Sequence, residues 1–314
     1  MTAERYLDQV ALLVRVLPEV AVETNFALKG GTAINLFVRD LPRLSVDIDL
    51  TYLPVADRDS SLAAVRKGLG RIADRLEGRL DLKVERQLLQ DGKRLIASAQ
   101  NATIKIEVSP VLRGTVFEPE RQTVSPSVED RFGFAEMQLV SFADLYAGKI
   151  AAALDRQHPR DLFDIHYLLA NEGLSDDLFR AFLVYLVSHP RPAHELLCPN
   201  FLDIAGQYDD QFVGMTVEPI ALDVLLDARR RLVDAVHAQA CEPGASEFLL
   251  RFHALEPQFD RIGLPGTLAD LPAVRWKLLN LERLRRENKA KFEAQVSALE
   301  SCLASFSPQG ETGA

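Results

Sequence analysis

Between residues 43 and 50 the sequence RLSVDIDL sets Arg43, Ser45, Asp47 and Asp49 at every second position, with Leu44, Val46, Ile48 and Leu50 between them. Alternate residues of a β-strand share a face. The spacing therefore predicts a strand over 43–52 with one apolar face turned to a core. The other face gathers a guanidinium, a hydroxyl and two carboxylates. Two carboxylates about 4 Å apart repel by about 4 kcal/mol at an effective dielectric near 20, so water or a cation must collect beside them. Mg2+ prefers oxygen ligands and keeps waters, and two such ions can stabilise the attacking and leaving oxygens of an in-line displacement. Upstream, Gly30 and Gly31 remove side chains so that backbone N–H groups can approach phosphate. Thr32 adds a hydroxyl at a helix start, where the dipole favours an anion. Glu107 in IKIEV is the candidate third carboxylate, placed to ligate a metal and to help deprotonate an attacking hydroxyl. Lys105 and Glu107 also fit a plain exposed pair on an alternating strand. Together these residues describe a site for a metal-bound triphosphate, with Asp47, Asp49 and Glu107 as metal ligands.

Placing them requires a strand, a turn and a helix in quick succession. Residues 3–22 carry Leu7, Val10, Ala11, Val14 and Leu17 at helical spacing, which predicts an amphipathic first helix. FALKGGTAINLF reads as a short strand, the Gly-Gly turn and a short helix. A second helix follows over 60–77, then strands in LDLKVERQ and NATIKIEVSPV, the latter alternating Ile104, Ile106 and Val108 with Lys105, Glu107 and Ser109. From Ser141 the pattern turns helical. Ser141 with Asp144 has the form of a capping box opening SFADLYAGKIAAALDR. HPRDLFDIHYLLAN opens a further helix, with Pro159 in its first turn and Gly173 just past its end. A last long helix is predicted over 272–304.

Lys149 lies among Ala and Ile in AGKIAAAL, where an ammonium must either snorkel to water or meet an anion; the anion reading is favoured. Asp161 and Asp164 stand one helical turn apart after Arg160. They suit either a partner for Lys149 or a charge cluster favoured by the helix dipole. The run Arg283, Arg285, Arg286, Lys289 and Lys291 suits a solvated helix face or contact with an RNA backbone.

The formal charge of −9 on 314 residues argues against a generally sticky nucleic-acid binder but allows a local basic patch. The 47% apolar and 26% charged residues fit an ordinary globular protein. Cys198, Cys241 and Cys302 are odd in number and far apart, so no disulfides and a cytoplasmic setting are expected. No signal peptide is read at the start, and no apolar run approaches the roughly 20 residues of a membrane helix.

The string LKGGTAINLFVRDLPRLSVDIDL, then IKIEV, then DLYAGKIAAALDRQHPRDLFDIHYLL resembles the AbiEii/AbiGii type of nucleotidyltransferase toxin. That type has the nucleotidyltransferase fold of the DNA polymerase β kind. The resemblance covers about residues 25–170, and WKLLNLERL near the end is similar to the tail of many members. It implies an α+β fold: a mixed sheet with flanking helices over 1–140, then an all-helical region over 141–305 completing the cleft. Residues 306–314 read as a disordered tail. It further implies that Asp47 and Asp49 hold Mg2+ or Mn2+, that Ser45 contacts the nucleotide, and that Lys149 meets the triphosphate. Asp164 or Asp161 is the acid of the R-D-x-x-D block, with Arg43 and Arg160 beside the nucleotide. Since mycobacterial members modify tRNA, the implied reaction is transfer from an NTP to a tRNA 3′-hydroxyl with release of pyrophosphate. A separately encoded antitoxin is the implied partner. The residues alone leave a small-molecule or protein hydroxyl open as acceptor, and equally a silent NTP-binding module.

Overall fold

The computed structural model describes residues 3–89 and 92–306, so the tail expected over 306–314 lies, but for its first residue, outside the described residues. The chain divides into two units, Met1–Leu145 with Phe212–Pro219, and Tyr146–Gln211 with Ile220–Ala314.

In the first unit, α1 (Ala3–Ala21) leads into β1 (Phe26–Lys29), and α2 (Gly30–Ala33) runs on as a π-helical stretch over Ile34–Val38. Then come β2 (Asp47–Tyr52), α3 (Arg58–Leu80), β3 (Lys83–Leu89), β4 (Gly92–Ser98), β5 (Thr103–Val108), β6 (Glu120–Thr123), α4 (Pro126–Phe132) and β7 (Glu136–Leu139). The strands form one mixed sheet in the order β3-β4-β5-β2-β1-β7-β6. Pairs β2–β5 and β1–β7 are parallel, and the remaining neighbours are antiparallel.

The apolar half of the alternation builds the core. Ile48, Leu50, Ile104, Ile106 and Val108 are buried, each aliphatic side chain contributing roughly 1.5–3 kcal/mol. β1 has no polar face before Lys29, because Phe26, Ala27 and Leu28 are all buried in the middle of the sheet. α3 comes down directly on this strand. A Cβ on Gly68 would lie 2.6 Å from the Phe26 ring, so glycine sets how closely helix and strand approach. Glu23, buried just before β1, ties the same helix to the end of α1 by accepting from Arg71 (2.5 Å) and Arg75 (2.8 Å).

The second unit is helical: α5 (Phe142–Asp155), within which the division falls, α6 (Pro159–Asn171), α7 (Asp176–Ser188), α8 (Ala193–Leu197), α9 (Ala205–Gln211), α10 (Leu222–Ala240), α11 (Pro243–His253), α12 (Pro272–Glu287) and α13 (Lys289–Ala304). The capping signals act as read. The Ser141 hydroxyl accepts from the Asp144 N–H at 3.0 Å and donates to its carboxylate at 2.7 Å, opening α5. His158 accepts from the Arg160 N–H at the start of α6, and Gly173 takes φ +69° beyond its end.

Three expectations are corrected. The strand expected over 43–52 begins at Asp47. Residues 42–44 pair instead with the returning segment 212–219: Leu44 donates to the Met215 carbonyl at 2.8 Å, and Val217 donates to that of Pro42 at 3.0 Å. Arg43 forms an isolated bridge with Thr216 and is itself buried. The helix expected over 272–304 is two, because Asn288 leaves helical geometry and its side chain accepts from the Lys291 N–H to cap α13. The absence of disulfides is also overturned. Cys198 and Cys302 form a disulfide across 104 residues, since α8 packs on α13 and brings their Cα atoms to 6.6 Å. Cys241 keeps its thiol. No helix among the described residues is long and apolar enough to cross a membrane.

Candidate active site

The sheet register lines up four charged residues across four strands: Lys29 on β1, Asp49 on β2, Glu107 on β5 and Arg94 on β4. Partners in register share a face, so the two central carboxylates are flanked by a cation on each side. Asp47, two residues back on β2, stands opposite Lys105 on β5. The Lys105 ammonium lies 3.6 Å from Asp47 Oδ2 and 3.2 Å from Glu107 Oε2. Arg94 pairs with the other oxygen of Glu107, Oε1.

Above this face runs the glycine turn. Gly30 takes φ +76°, a left-handed conformation that follows from its lack of a side chain, and a Cβ there would come within 2.8 Å of Asp49 Oδ2. A Cβ on Gly31 would lie 2.8 Å from both Arg43 Nη2 and Ser45 Oγ. The turn is thus held against one carboxylate, one guanidinium and one hydroxyl. The Thr32 hydroxyl lies 2.5 Å from the Asp47 carbonyl, to which it donates, and 3.1 Å from Ser45 Oγ. That bond pins the start of β2 to the turn. Asn35 adds a bond of 2.8 Å from its amide to the Gly31 carbonyl.

The crowded charge shows in the titration of the row. Burial pushes Asp49 above the usual carboxylate range, with Asp47 and Glu107 adding to the push and Lys29 and Lys105 opposing it. Burial likewise lowers Lys29, against the pull of Asp49. For Lys105 burial acts downward, but the Asp47, Glu107 and Asp49 carboxylates outweigh it and raise it. The face thus sets three carboxylates, Asp47, Asp49 and Glu107, against three cations, Lys29, Lys105 and Arg94. Among the described residues no group of three or more His, Cys, Asp or Glu side chains is arranged to hold a metal ion. Glu107 is engaged by Arg94 and Lys105, which leaves a two-carboxylate donor set. Mg2+ is commonly held by one or two carboxylates, with waters and substrate phosphates completing its shell, so Asp47 and Asp49 fit it.

The sheet therefore gathers Gly30, Gly31, Thr32, Arg43, Ser45, Asp47, Asp49 and Glu107. Lys29, Arg94 and Lys105 belong to the same face and were not singled out from the sequence. Lys105 could have been, because the alternation that exposes Glu107 puts it on that face too. Arg94 needed the register of β4, a strand that GKRLIAS does not announce.

The second unit holds another charged cluster. Lys149 on α5, its side chain 8% exposed, lies 2.8 Å from Asp161 and 3.0 Å from Asp164, each 1% exposed, on α6. Arg156 reaches Asp161 at 2.6 Å. Although burial pushes the Asp161 carboxyl up, Lys149 and Arg156 hold it well below the usual range. The anion that Lys149 meets here is this carboxylate pair. Arg160 is exposed. Arg283, Arg285, Arg286, Lys289 and Lys291 are all exposed at the end of α12 and the start of α13. Arg283 and Arg286 pair with Glu287, and Lys289 with Glu293.

The fold is similar to that of MenT4, a nucleotidyltransferase toxin from Mycobacterium tuberculosis H37Rv, with a TM-score of 0.57 over 95% of each chain at 16% identity. No curated protein matches the chain. Residues 11–279 match the family described as nucleotidyl transferase AbiEii toxin, type IV toxin–antitoxin system, a span that takes in the glycine turn, the paired aspartates and the Lys149 cluster. The chain belongs to the AbiEii family of nucleotidyltransferase toxins.

Proposed function

We propose that the protein transfers a nucleotide from an NTP to the 3′-hydroxyl of tRNA in the cytoplasm, releasing pyrophosphate, and that a cognate antitoxin restrains it. The observation that carries the reading is Asp49 set against a side-chain-free glycine turn walled by Arg43 and Ser45, with the Asp47 backbone tied to that turn through Thr32. Asp47 and Asp49 would hold Mg2+, which when bound neutralises triphosphate charge and stabilises the leaving oxygen. The chain's own groups do the rest. Gly30 and Gly31 admit the phosphates to the backbone, while Arg43 and Ser45 orient them from beside Gly31. Lys29 and Arg94 balance the row of carboxylates from its two ends. The acceptor oxygen attacks the α-phosphorus, its proton passes to a carboxylate of the row or to water, and the bond to pyrophosphate breaks. The tRNA acceptor is supported by the resemblance to tRNA-modifying relatives and by the exposed basic residues of α12 and α13.

The test is incubation of the purified protein with Mg2+, each labelled NTP in turn and total RNA, with Asp47→Asn as the blank. Label on RNA of tRNA size, absent from the blank, is expected for one preferred NTP. Label on small molecules or protein with none on RNA would reject the tRNA acceptor, and full activity in a folded Asp47→Asn protein would reject the metal site.

A further inference from the structure

The geometry points to Lys105 as a built-in counter-ion that holds the metal position until nucleotide arrives, so that metal binding depends on NTP. This rests on the proposed metal role of Asp47 and Asp49.

Three observations support it. First, Lys105 faces Asp47 in direct register on parallel strands, and its ammonium sits between two carboxylates, 3.6 Å from Asp47 and 3.2 Å from Glu107. A cation placed there already serves Asp47, one of the two acids that a divalent ion would serve. Second, Glu107 is held from its far side by Arg94, so its other oxygen is presented to Lys105. The third acid of the row thus anchors the ammonium. Third, the Lys105 side chain is 31% exposed. A lysine has a flexible four-carbon stem and a compact charge, so this one can swing from the carboxylates to a phosphate oxygen when a triphosphate enters.

A divalent ion arriving alone must settle beside an ammonium that has nowhere better to go. Arriving with a triphosphate, it brings the anion that takes the ammonium away. Lys105 is then a positioning residue: it keeps stray cations from Asp47 while Glu107 anchors it, and it moves to the substrate when Mg2+ and NTP arrive together.

The experiment measures Mn2+ binding by electron paramagnetic resonance and calorimetry. It uses the whole protein, with and without a non-hydrolysable NTP analogue, and requires no turnover. The wild type is expected to bind Mn2+ weakly alone and tightly with the analogue. Lys105→Met, close in shape but uncharged, is expected to bind Mn2+ alone at least roughly tenfold more tightly than wild type, as removal of one like charge at this range implies. Lys105→Arg keeps the charge and should behave as wild type, which guards against an effect of altered packing. Equal Mn2+ affinity of wild type and Lys105→Met without nucleotide, with binding lost in Asp47→Asn, overturns the role of Lys105 and leaves the metal site standing. Absence of Mn2+ binding from all proteins, with or without the analogue, overturns the metal reading itself and this inference with it.

Discussion

Replacing Lys149 by methionine removes the ammonium from a cluster whose two aspartates are 1% exposed. At 2.8 and 3.0 Å the attraction to each carboxylate is about 6 kcal/mol at an effective dielectric of 20. Much of it offsets the cost of taking these charges out of water. When the ammonium goes, that cost stays, and the cation left beside Asp161 is Arg156, whose own side chain is 64% exposed. The expected loss of stability at pH 7 is about 3–5 kcal/mol, the range for breaking a buried ion pair from one side. It should appear as a lower urea midpoint with an unchanged slope. The pH dependence has a definite sign. In the wild type Asp161 titrates well below its ordinary value. Its contribution is therefore fully present above the unfolded carboxylate pKa of about 4 and is lost as pH falls below it. Without Lys149 the two carboxylates repel, and one takes up a proton above that range. The deficit of the variant relative to wild type should then shrink as pH falls from 7 toward 4. Lys149→Met/Asp164→Asn leaves Asp161 with Arg156 and should recover about half of the loss or more. A single-variant loss below about 1 kcal/mol, or no recovery in the double variant, refutes the reasoning.

Gly30→Ala must place a Cβ at φ +76° and 2.8 Å from Asp49 Oδ2; the left-handed backbone alone costs about 1–2 kcal/mol, and a thermal melt no lower than wild type would contradict this geometry. Glu23 is held below its ordinary range first by its hydrogen bond with Arg71, and Arg75 adds to this against burial. Glu23→Gln should therefore cost about 1–3 kcal/mol at pH 7, with the gap to wild type closing as pH falls through the carboxylate range, as denaturation at several pH values can verify. The Cys198–Cys302 bridge closes 104 residues of chain, so Cys302→Ser or a reductant should lower stability by about 4–5 kcal/mol in the chain-entropy account; identical unfolding midpoints with and without reductant would show that the bridge adds nothing.

What the sequence discloses about this protein follows the range of the forces involved. The paired aspartates, the glycine turn, the Ser141 cap and the proline-led start of α6 were readable because each is a local pattern. Alternation, a missing side chain or a cap acts within a few residues. Arg43 shows where locality ends. Its alternation with Ser45 and Asp47 looks like strand, yet a segment more than 160 residues later captures its backbone and the strand begins four residues on. Cys198 and Cys302 make the same point, since their pairing depends on how α8 meets α13 and not on their spacing. The Lys105 bridge is the intermediate case. Its face was legible from IKIEV, but whether its ammonium turns to Asp47, to Glu107 or to solvent depends on β2 and β5 being parallel and in register, which the sequence leaves open. That register also decides what Glu107 can do. With the parallel pairing, the acid offered as a third metal ligand has two cations on it, and Asp47 and Asp49 are the carboxylates left to the proposed metal.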